Sequence, residues 1–259
     1  MKRSDSLALP ALYWAFAIYL FIPIGVMVAM GFKDSRFIGF PIENWTLRWY
    51  LEVVQNEDMM RAFGYSVLIA LASTVFSLVI GLLIGLLLGP TRLVGKTLLF
   101  ALMALPAVTP GVISGISLRM FIKVIGLEPG MAAIILGHTI HNVPFVTIMV
   151  LTRLSAQPPS LIEAAKDLGA DEIIAFFRVT LPFLKPSLFG AAIFALLVSF
   201  DDFIRSFFLG GYEPTLPVLI FTKLRSGMSP EINAISTVVL VMTAALGIYA
   251  ERLMRRQRG

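Results

Sequence analysis

The sequence predicts an all-α protein whose six helices cross a membrane. The first observation behind this prediction is composition, because apolar residues make up 58% of the 259-residue chain and charged residues only 14%. A soluble domain of this length has too much surface to cover with so few charges, which excludes a cytosolic enzyme, a disordered chain and a coiled coil. The second observation is that the charges are grouped, which leaves long charge-free stretches between them.

The charge-free stretches give the positions of the spans. Five of the six contain at least 19 residues, enough for a helix to cross about 30 Å of hydrocarbon. The fifth stretch, Pro186–Phe200, has only 15 residues and reaches full length if the helix continues past Asp201 and Asp202 or takes in Lys185. We therefore predict a single transmembrane domain over residues 1–259, with spans at about 8–31, 65–89, 97–121, 130–152, 183–205 and 232–250.

Lys and Arg residues in the loops predict the orientation of the chain. The side that carries both termini and the loop 153–185 has 12 basic and six acidic residues, whereas the opposite side has eight of each. Basic residues accumulate on the cytoplasmic side of membrane proteins. We therefore expect a multi-pass protein with both termini in the cytoplasm, and the net charge of +5 reflects this topology rather than nucleic-acid binding.

Gly81, Gly85 and Gly89 recur at every fourth position of the second predicted span. Small residues at this spacing form a groove in which another helix can pack closely. We expect the helix in that groove to belong to this chain, with a dimer interface as the alternative.

The segment Gly89–Thr97 ends in Gly-Lys-Thr and resembles a nucleotide-binding P-loop. The P-loop pattern requires a glycine five residues before Gly95, but Pro90 occupies that position. The segment also joins two spans instead of a strand and a helix. We therefore predict that the chain does not itself bind ATP and that Lys96 is a basic residue of a cytoplasmic loop.

Prolines interrupt the third predicted span. Pro106 and Pro110 each remove a backbone donor, and Gly111 and Gly115 follow them. A broken helix in a membrane is tolerated where its free backbone groups find partners or water, and such helices often line a translocation path. A structural kink and a pathway role are both open on the sequence alone.

The fourth predicted span contains the only two histidines, His138 and His141, which share one helix face and are followed by Asn142. The chain has no cysteine and this span has no carboxylate, so the three or four ligands of a metal site are not available. Two histidines also do not supply the nucleophile and base of a catalytic centre. We predict that these side chains form hydrogen bonds between helices or line a wet cavity.

Asp201 and Asp202 follow the shortest charge-free stretch and lie near the outer end of the fifth predicted span. Carboxylates at this depth are costly unless they face water, a cation or a partner. Arg205 offers a local partner, at i+4 from the first acid and i+3 from the second. The alternatives are therefore a local ion pair and a pathway site in which at least one of the two acids attracts a cationic solute.

The loop 153–185 is predicted to form two short helices. Ser160 and Glu163 have the spacing of a capping box, so the first helix is expected to begin there. Gly169 is expected to end this helix, and Asp171 to cap the second one. A DNA-reading helix-turn-helix is excluded because the second helix is apolar and the loop is tied to the membrane at both ends.

The same loop resembles the E-A-A-x3-G-x9-I-x-L-P signature of bacterial ABC importer permeases, with Val179 in place of Ile. Three further segments resemble the smaller permease subunit of spermidine/putrescine-type importers, namely Ser199–Phe203, Leu216-Pro217 and Ser229–Ala234. The resemblance assigns coupling with an ATPase to the matching residues of the loop, which are Glu163, Ala164, Ala165, Gly169, Leu181 and Pro182.

The resemblance implies a type I ABC importer permease fold in the bacterial inner membrane. It also implies a second, different permease subunit, a dimer of ATP-binding subunits that docks on the loop, and an external substrate-binding protein. The implied solute is a small cation such as a polyamine, with an amino-acid derivative, an opine or a similar solute, or a channel or ion-driven carrier, as alternatives. The candidate pathway residues are Asp201, Asp202, Pro106, Pro110, His138, His141 and Asn142.

Overall fold

The computed structural model describes residues 5–35, 39–89, 94–227 and 229–256. The described residues are mainly helical, as predicted, and a π-helical turn at Phe176–Thr180 joins the eighth helix to the ninth. The helices are α1 (Asp5–Gly31), α2 (Arg48–Gln55), α3 (Glu57–Leu88), α4 (Lys96–Val108), α5 (Gly111–Val124), α6 (Met131–Ser155), α7 (Pro159–Asp167), α8 (Glu172–Ala175), α9 (Leu181–Phe200), α10 (Phe203–Leu209), α11 (Leu216–Ser226) and α12 (Pro230–Arg256).

Within the described ranges, five helical segments are long and apolar enough to cross a membrane: α1, α3, α6, the run Glu172–Phe200 and α12. Helices α4 and α5 together qualify as a sixth, broken span whose halves are bent by 107°. The bend falls where the sequence predicts a proline kink, because Pro110 has no N–H to donate to the carbonyl of Pro106. These helices agree with the predicted six-span plan.

The fifth span differs from its predicted bounds of 183–205. Its helical run starts at Glu172 and ends at Phe200, so Asp201 and Asp202 lie in a break before α10. A continuous helix over 183–205 is therefore not what the chain forms. The physical reason is that Asp202 is the N-cap of α10, since its carboxylate accepts the backbone N–H of Arg205 at 3.0 Å and its own backbone is extended.

The chain divides into two compact units, and the prediction of one transmembrane domain stays a prediction. In the first unit, residues 1–60 and 220–244, a side chain at Gly31 would come within 3.2 Å of the backbone nitrogen of Ala234. Glu231, in the first turn of α12, accepts a hydrogen bond from Asn56 at 3.2 Å. The start of α12 thus packs closely on the end of α1, which gives part of the 229–234 motif a structural role.

In the second unit, residues 61–219 and 245–259, the glycine stripe of α3 packs against α6. A Cβ atom on any of the three glycines would lie only 2.5–2.6 Å from a side-chain atom of α6, so the groove requires glycine. The expectation that the stripe packs within the chain is confirmed, because these glycine faces are covered. The pairs are Gly81 with Val146, Gly85 with Val150, and Gly89 with Leu154.

Residues 90–93, in the middle of the P-loop-like segment, lie outside the described residues. At its described end, Lys96 begins α4 and donates a hydrogen bond to the carbonyl of Gly89 at 2.5 Å. Five of the basic residues that predict the orientation also lie outside the described ranges, namely Lys2, Arg3, Arg36, Arg92 and Arg258.

Candidate functional site

The first candidate region, called the coupling segment here, comprises residues 159–180. It begins at Pro159 with Pro158 as the N-cap of α7, and no side chain caps this helix end. The predicted capping box is therefore wrong, because the N-cap is Pro158, two residues before the predicted one, and Ser160 is already inside the helix. The carboxylate of Glu163 is left exposed on α7.

Gly169 ends α7 in a left-handed conformation, as the sequence predicts. Its φ is +84° and its N–H bonds to the carbonyl of Lys166 at 2.9 Å, while the N–H of Ala170 bonds to the carbonyl of Ala165 at 2.9 Å. These two bonds form a Schellman motif, which places glycine just past the helix and Ala165 three residues from its end. The three-residue spacing between Ala165 and Gly169 in the signature is therefore the spacing that a Schellman helix end requires.

The second helix of the coupling segment also starts as predicted. The carboxylate of Asp171 accepts the backbone N–H of Ile174 at 2.7 Å and caps α8. The apolar side chains of Leu168 and Ile173 are 89% and 69% exposed. Apolar side chains this exposed on two short, capped helices form a surface that a protein partner can cover.

Hydrogen bonds between α6 and α9 hold the start of α9, directly after the coupling segment. Arg153 donates a hydrogen bond to the carbonyl of Phe183 at 3.0 Å, and its guanidinium carbon lies 4.1 Å from the centroid of the Phe183 ring. Ser187 donates to the carbonyl of Met149 at 2.8 Å. Leu181 and Pro182, the last residues of the signature, open α9 just before these contacts, so a displacement of the coupling segment is expected to reach α9 and α6 together.

The second candidate region lies where the α4–α5 and α9–α10 breaks meet. Helices α5 and α10 pack closely because α5 presents two glycines to large side chains of α10. A Cβ atom would lie 3.0 Å from Ile204 if placed on Gly111, and 2.6 Å from Phe208 if placed on Gly115. The glycines that follow the predicted kink therefore let the two half-helices approach each other.

Arg205, in α10, bonds to Asp202 at the start of its own helix and to His141 of α6. Its Nη1 donates to Asp202 Oδ2 at 2.6 Å, and its Nη2 donates to His141 Nδ1 at 2.8 Å. The same imidazole nitrogen lies 3.4 Å from the carbonyl of Pro106, which lacks its helical donor because residue 110 is proline. Since a guanidinium can only donate, Nδ1 of His141 accepts and the imidazole is neutral.

The remaining polar candidates of α6 bond between helices, which is one of the two predicted roles. His138 contacts hydroxyls of Ser199 and Ser206, at 2.7 Å and 3.2 Å. Asn142 donates to the carbonyl of Ala195 in α9 at 3.2 Å. Because His138 and Asn142 are each only 1% exposed, neither lines an open path in this structure.

The two acids at the α9–α10 break have different environments. Asp202 is 7% exposed at its side chain and forms the ion pair with Arg205. Asp201 is exposed, and no salt bridge within the described part of the chain involves it. The uncompensated negative charge at this break is therefore that of Asp201.

The sequence predicts the acids, the histidines and the prolines as site residues, and it includes Ser199 in the 199–203 motif, but it does not predict the bonds of Ser73, Ser199 and Ser206 around His138. Ser73 offered a signal, since a hydroxyl in a span needs a partner, yet a single sequence does not say which one. No group of three or more His, Cys, Asp or Glu side chains that could hold a metal occurs among the residues described.

A family model described as "Binding-protein-dependent transport system inner membrane component" matches residues 6–258. The chain belongs to this family. The chain is 29% identical over 240 residues to the "Spermidine/putrescine transport system permease protein PotC" of Haemophilus influenzae. This alignment covers 92% of the chain and 93% of the relative. The chain is 32% identical to the "Putrescine transport system permease protein PotI" of Escherichia coli K12, over 92% of this chain and 87% of the relative.

Solved structures match the fold of this binding-protein-dependent transport component. A bacterial ABC transporter for import of the acidic polysaccharide alginate aligns with a TM-score of 0.73 at 16% identity, covering 99% of this chain and 98% of that one. The MetNI methionine ABC transporter in an inward-facing form aligns with a TM-score of 0.66 at 24% identity, covering 78% and 98%. The predicted fold, a type I ABC importer permease, is confirmed.

Proposed function

We propose that the chain is the permease subunit of an ATP-driven importer and forms half of the path for a small cationic solute of the polyamine class. The observation that carries the solute class is the similarity, over 92% of the chain, to permeases named for spermidine and putrescine. The exposed carboxylate of Asp201 supplies chemistry that suits such a solute, because an uncompensated negative charge attracts ammonium groups.

In this proposal Asp201 meets the solute, and the other pathway candidates shape the place where it does so. Asp202 and His141 hold Arg205, so that the guanidinium does not neutralise the exposed acid. His138 and Asn142 bond neighbouring helices from a buried position. Pro106 and Pro110 produce the break in the third span that brings these groups together.

The coupling segment is the docking site for the ATP-binding subunit. Support comes from its two short helices with defined ends, from the exposed apolar side chains, and from the exposed carboxylate of Glu163. Ala164 and Ala165 keep α7 narrow beside that carboxylate, and Gly169 sets the turn between the two helices. Leu181 and Pro182 join the segment to α9.

The chain has no catalytic centre of its own in this proposal, since ATP is bound and hydrolysed by a dimer of partner subunits. A second, different permease completes the path, and an external binding protein delivers the solute. Both termini and the coupling segment face the cytoplasm, where the ATP-binding subunits can reach Glu163 and its neighbours.

The experiment that tests the proposal is affinity purification of the tagged chain from membranes of its native host. We expect an ATP-binding subunit and a second permease to co-purify with the wild-type chain. Glu163→Lys is expected to release the ATP-binding subunit and retain the second permease, because it reverses an exposed charge on the docking surface. The matched variant Glu163→Gln keeps the shape of the side chain and is expected to release less of the ATP-binding subunit than Glu163→Lys does.

Two results would contradict the proposal. The absence of any ATP-binding subunit from the wild-type preparation would rule out an importer permease. Equal retention of that subunit by all three chains would remove α7 from the docking surface. The same experiment tests the orientation, because a coupling segment outside the cell could not hold a cytoplasmic ATPase.

A further inference from the structure

His138, in the middle of α6, is bonded through both ring nitrogens although it is only 1% exposed. Its Nδ1 lies 2.7 Å from the hydroxyl of Ser199, near the end of α9, and its Nε2 lies 3.2 Å from the hydroxyl of Ser206, in α10. The Ser199 hydroxyl also lies 2.8 Å from that of Ser73, in α3. One imidazole therefore connects four helices.

One set of proton positions satisfies every contact in this chain of hydrogen bonds. Ser73 donates to the carbonyl of Ala70 at 3.2 Å, so it accepts from Ser199. Ser199 then has no proton for the imidazole and accepts one from Nδ1 of His138. The lone pair on Nε2 accepts the hydroxyl of Ser206, which leaves the imidazole neutral and both of its nitrogens satisfied.

The two serines that contact the imidazole lie on opposite sides of the α9–α10 break. Ser199 comes two residues before Asp201, and Ser206 comes four residues after Asp202. Between them the backbone of Asp202 is extended, with ψ at 90°, which interrupts the helix. Because His138 stands on a different helix and bonds to both sides, it holds the two helix ends to one fixed point.

Direct contact with a solute does not fit this side chain, because it is buried and both nitrogens are occupied. An ion pair does not fit either, since Nε2 is 3.9 Å from Asp202 and that carboxylate already binds Arg205 at 2.6 Å. What His138 provides is a set of bonds between helices, to serines that flank Asp201 along the chain.

We propose that His138 is a positioning residue that holds the α9–α10 break and thereby sets where the carboxylate of Asp201 lies on the solute path. The inference rests on the proposed role of Asp201. Without the bonds of His138, the two helix ends move separately and the carboxylate is correctly placed in a smaller fraction of molecules. The solute concentration for half-maximal uptake then rises, while the maximal rate is kept.

The first test is a double-mutant cycle on uptake of labelled spermidine. His138→Asn keeps a donor for Ser199 but no longer reaches Ser206, and Ser206→Ala removes the same bond from the other side. Each is expected to raise the half-saturation concentration about fivefold, with the maximal rate within about twofold of wild type. The double variant is expected to have the same half-saturation concentration as either single variant, because all three variants lack the same bond between residues 138 and 206.

Thr147→Val is the matched control, because Thr147 is a buried α6 residue that bonds to the Gly81 carbonyl at 3.3 Å, away from the break. It is expected to leave the half-saturation concentration unchanged. Additive effects in the cycle, or a lower maximal rate without a change in half-saturation, would overturn the positioning role.

The second test does not depend on which solute is transported. The chain has no cysteine, so Asp201→Cys places a single thiol at the break. In membranes, the rate at which a cationic methanethiosulfonate labels this thiol is measured. Adding His138→Asn is expected to change that rate about threefold or more, which corresponds to the loss of one hydrogen bond. Adding Thr147→Val is expected to leave the rate unchanged. If His138→Asn leaves the labelling rate unchanged, the inference is overturned. If the rate changes but the protein imports no polyamine, the positioning role of His138 is supported and the proposed solute is refuted.

Discussion

Gly169→Val is expected to lower ATP-driven uptake roughly tenfold while the protein still inserts in the membrane, because a residue with Cβ loses about 1–2 kcal/mol in the left-handed region. Gly169 has a φ of +84° and forms the Schellman end of α7, so valine opens the turn that sets the second short helix. Apart from its two neighbours along the chain, no described residue has an atom within 4 Å of a Cβ at this position. The effect therefore comes from backbone strain and not from an internal clash.

Gly169→Asn is the matched control for this prediction. Asparagine has nearly the bulk of valine but accepts positive φ far more readily, so we expect it to retain most of the uptake. Uptake and ATP hydrolysis measured in the same membrane vesicles check both variants. Wild-type uptake by the valine variant would show that the turn is not part of coupling, and equal losses in both variants would point to the partner surface instead of backbone strain.

Asp201→Asn is expected to abolish most uptake without reducing the amount of folded protein or its basal ATP hydrolysis. The side chain is exposed and unpaired among the described residues, so its charge is free to attract a cation and its loss leaves no buried partner behind. Adding Arg205→Ala is expected not to restore uptake, because the guanidinium bonds to Asp202 and His141. Normal uptake by Asp201→Asn would remove this acid from the path.

Asp202→Asn is expected to act on stability instead. It leaves the buried guanidinium of Arg205 without its carboxylate, which costs about 3 kcal/mol where a buried pair is broken. Thermal unfolding of the purified protein measures this loss, and the double variant with Arg205→Ala is expected to recover much of it because no buried charge remains. If both acids proved equally important for uptake and neither for stability, the division of roles between them would be wrong.

The sequence predicted best where the signal is local. Gly169 and Asp171 are residues that favour their helix ends in any context, and the structure places both as expected. Pro110 likewise produced the predicted break in the third span. The capping box failed for a local reason too, because Pro159 started α7 before Ser160 could cap it.

The α9–α10 break and its network were harder to predict because two signals compete there. The need to complete a short span favours continuing the helix through Asp202, while the preference of aspartate for N-caps favours stopping. The partners of His138 are 61 and 68 residues away along the chain, and nothing in a single sequence pairs residues at that distance. Packing decides between the competing local preferences, and it is visible only in three dimensions.

Uptake of labelled spermidine by the purified complex in proteoliposomes, with ATP supplied to the ATP-binding subunits and the binding protein on the opposite side, tests the central claim most directly. We expect uptake to require ATP, the binding protein and Asp201, and to be competed by unlabelled putrescine but not by a neutral diol of similar length. Uptake that proceeds without ATP, or that the neutral diol and putrescine inhibit equally, would contradict the account of an ATP-driven permease for a cationic solute.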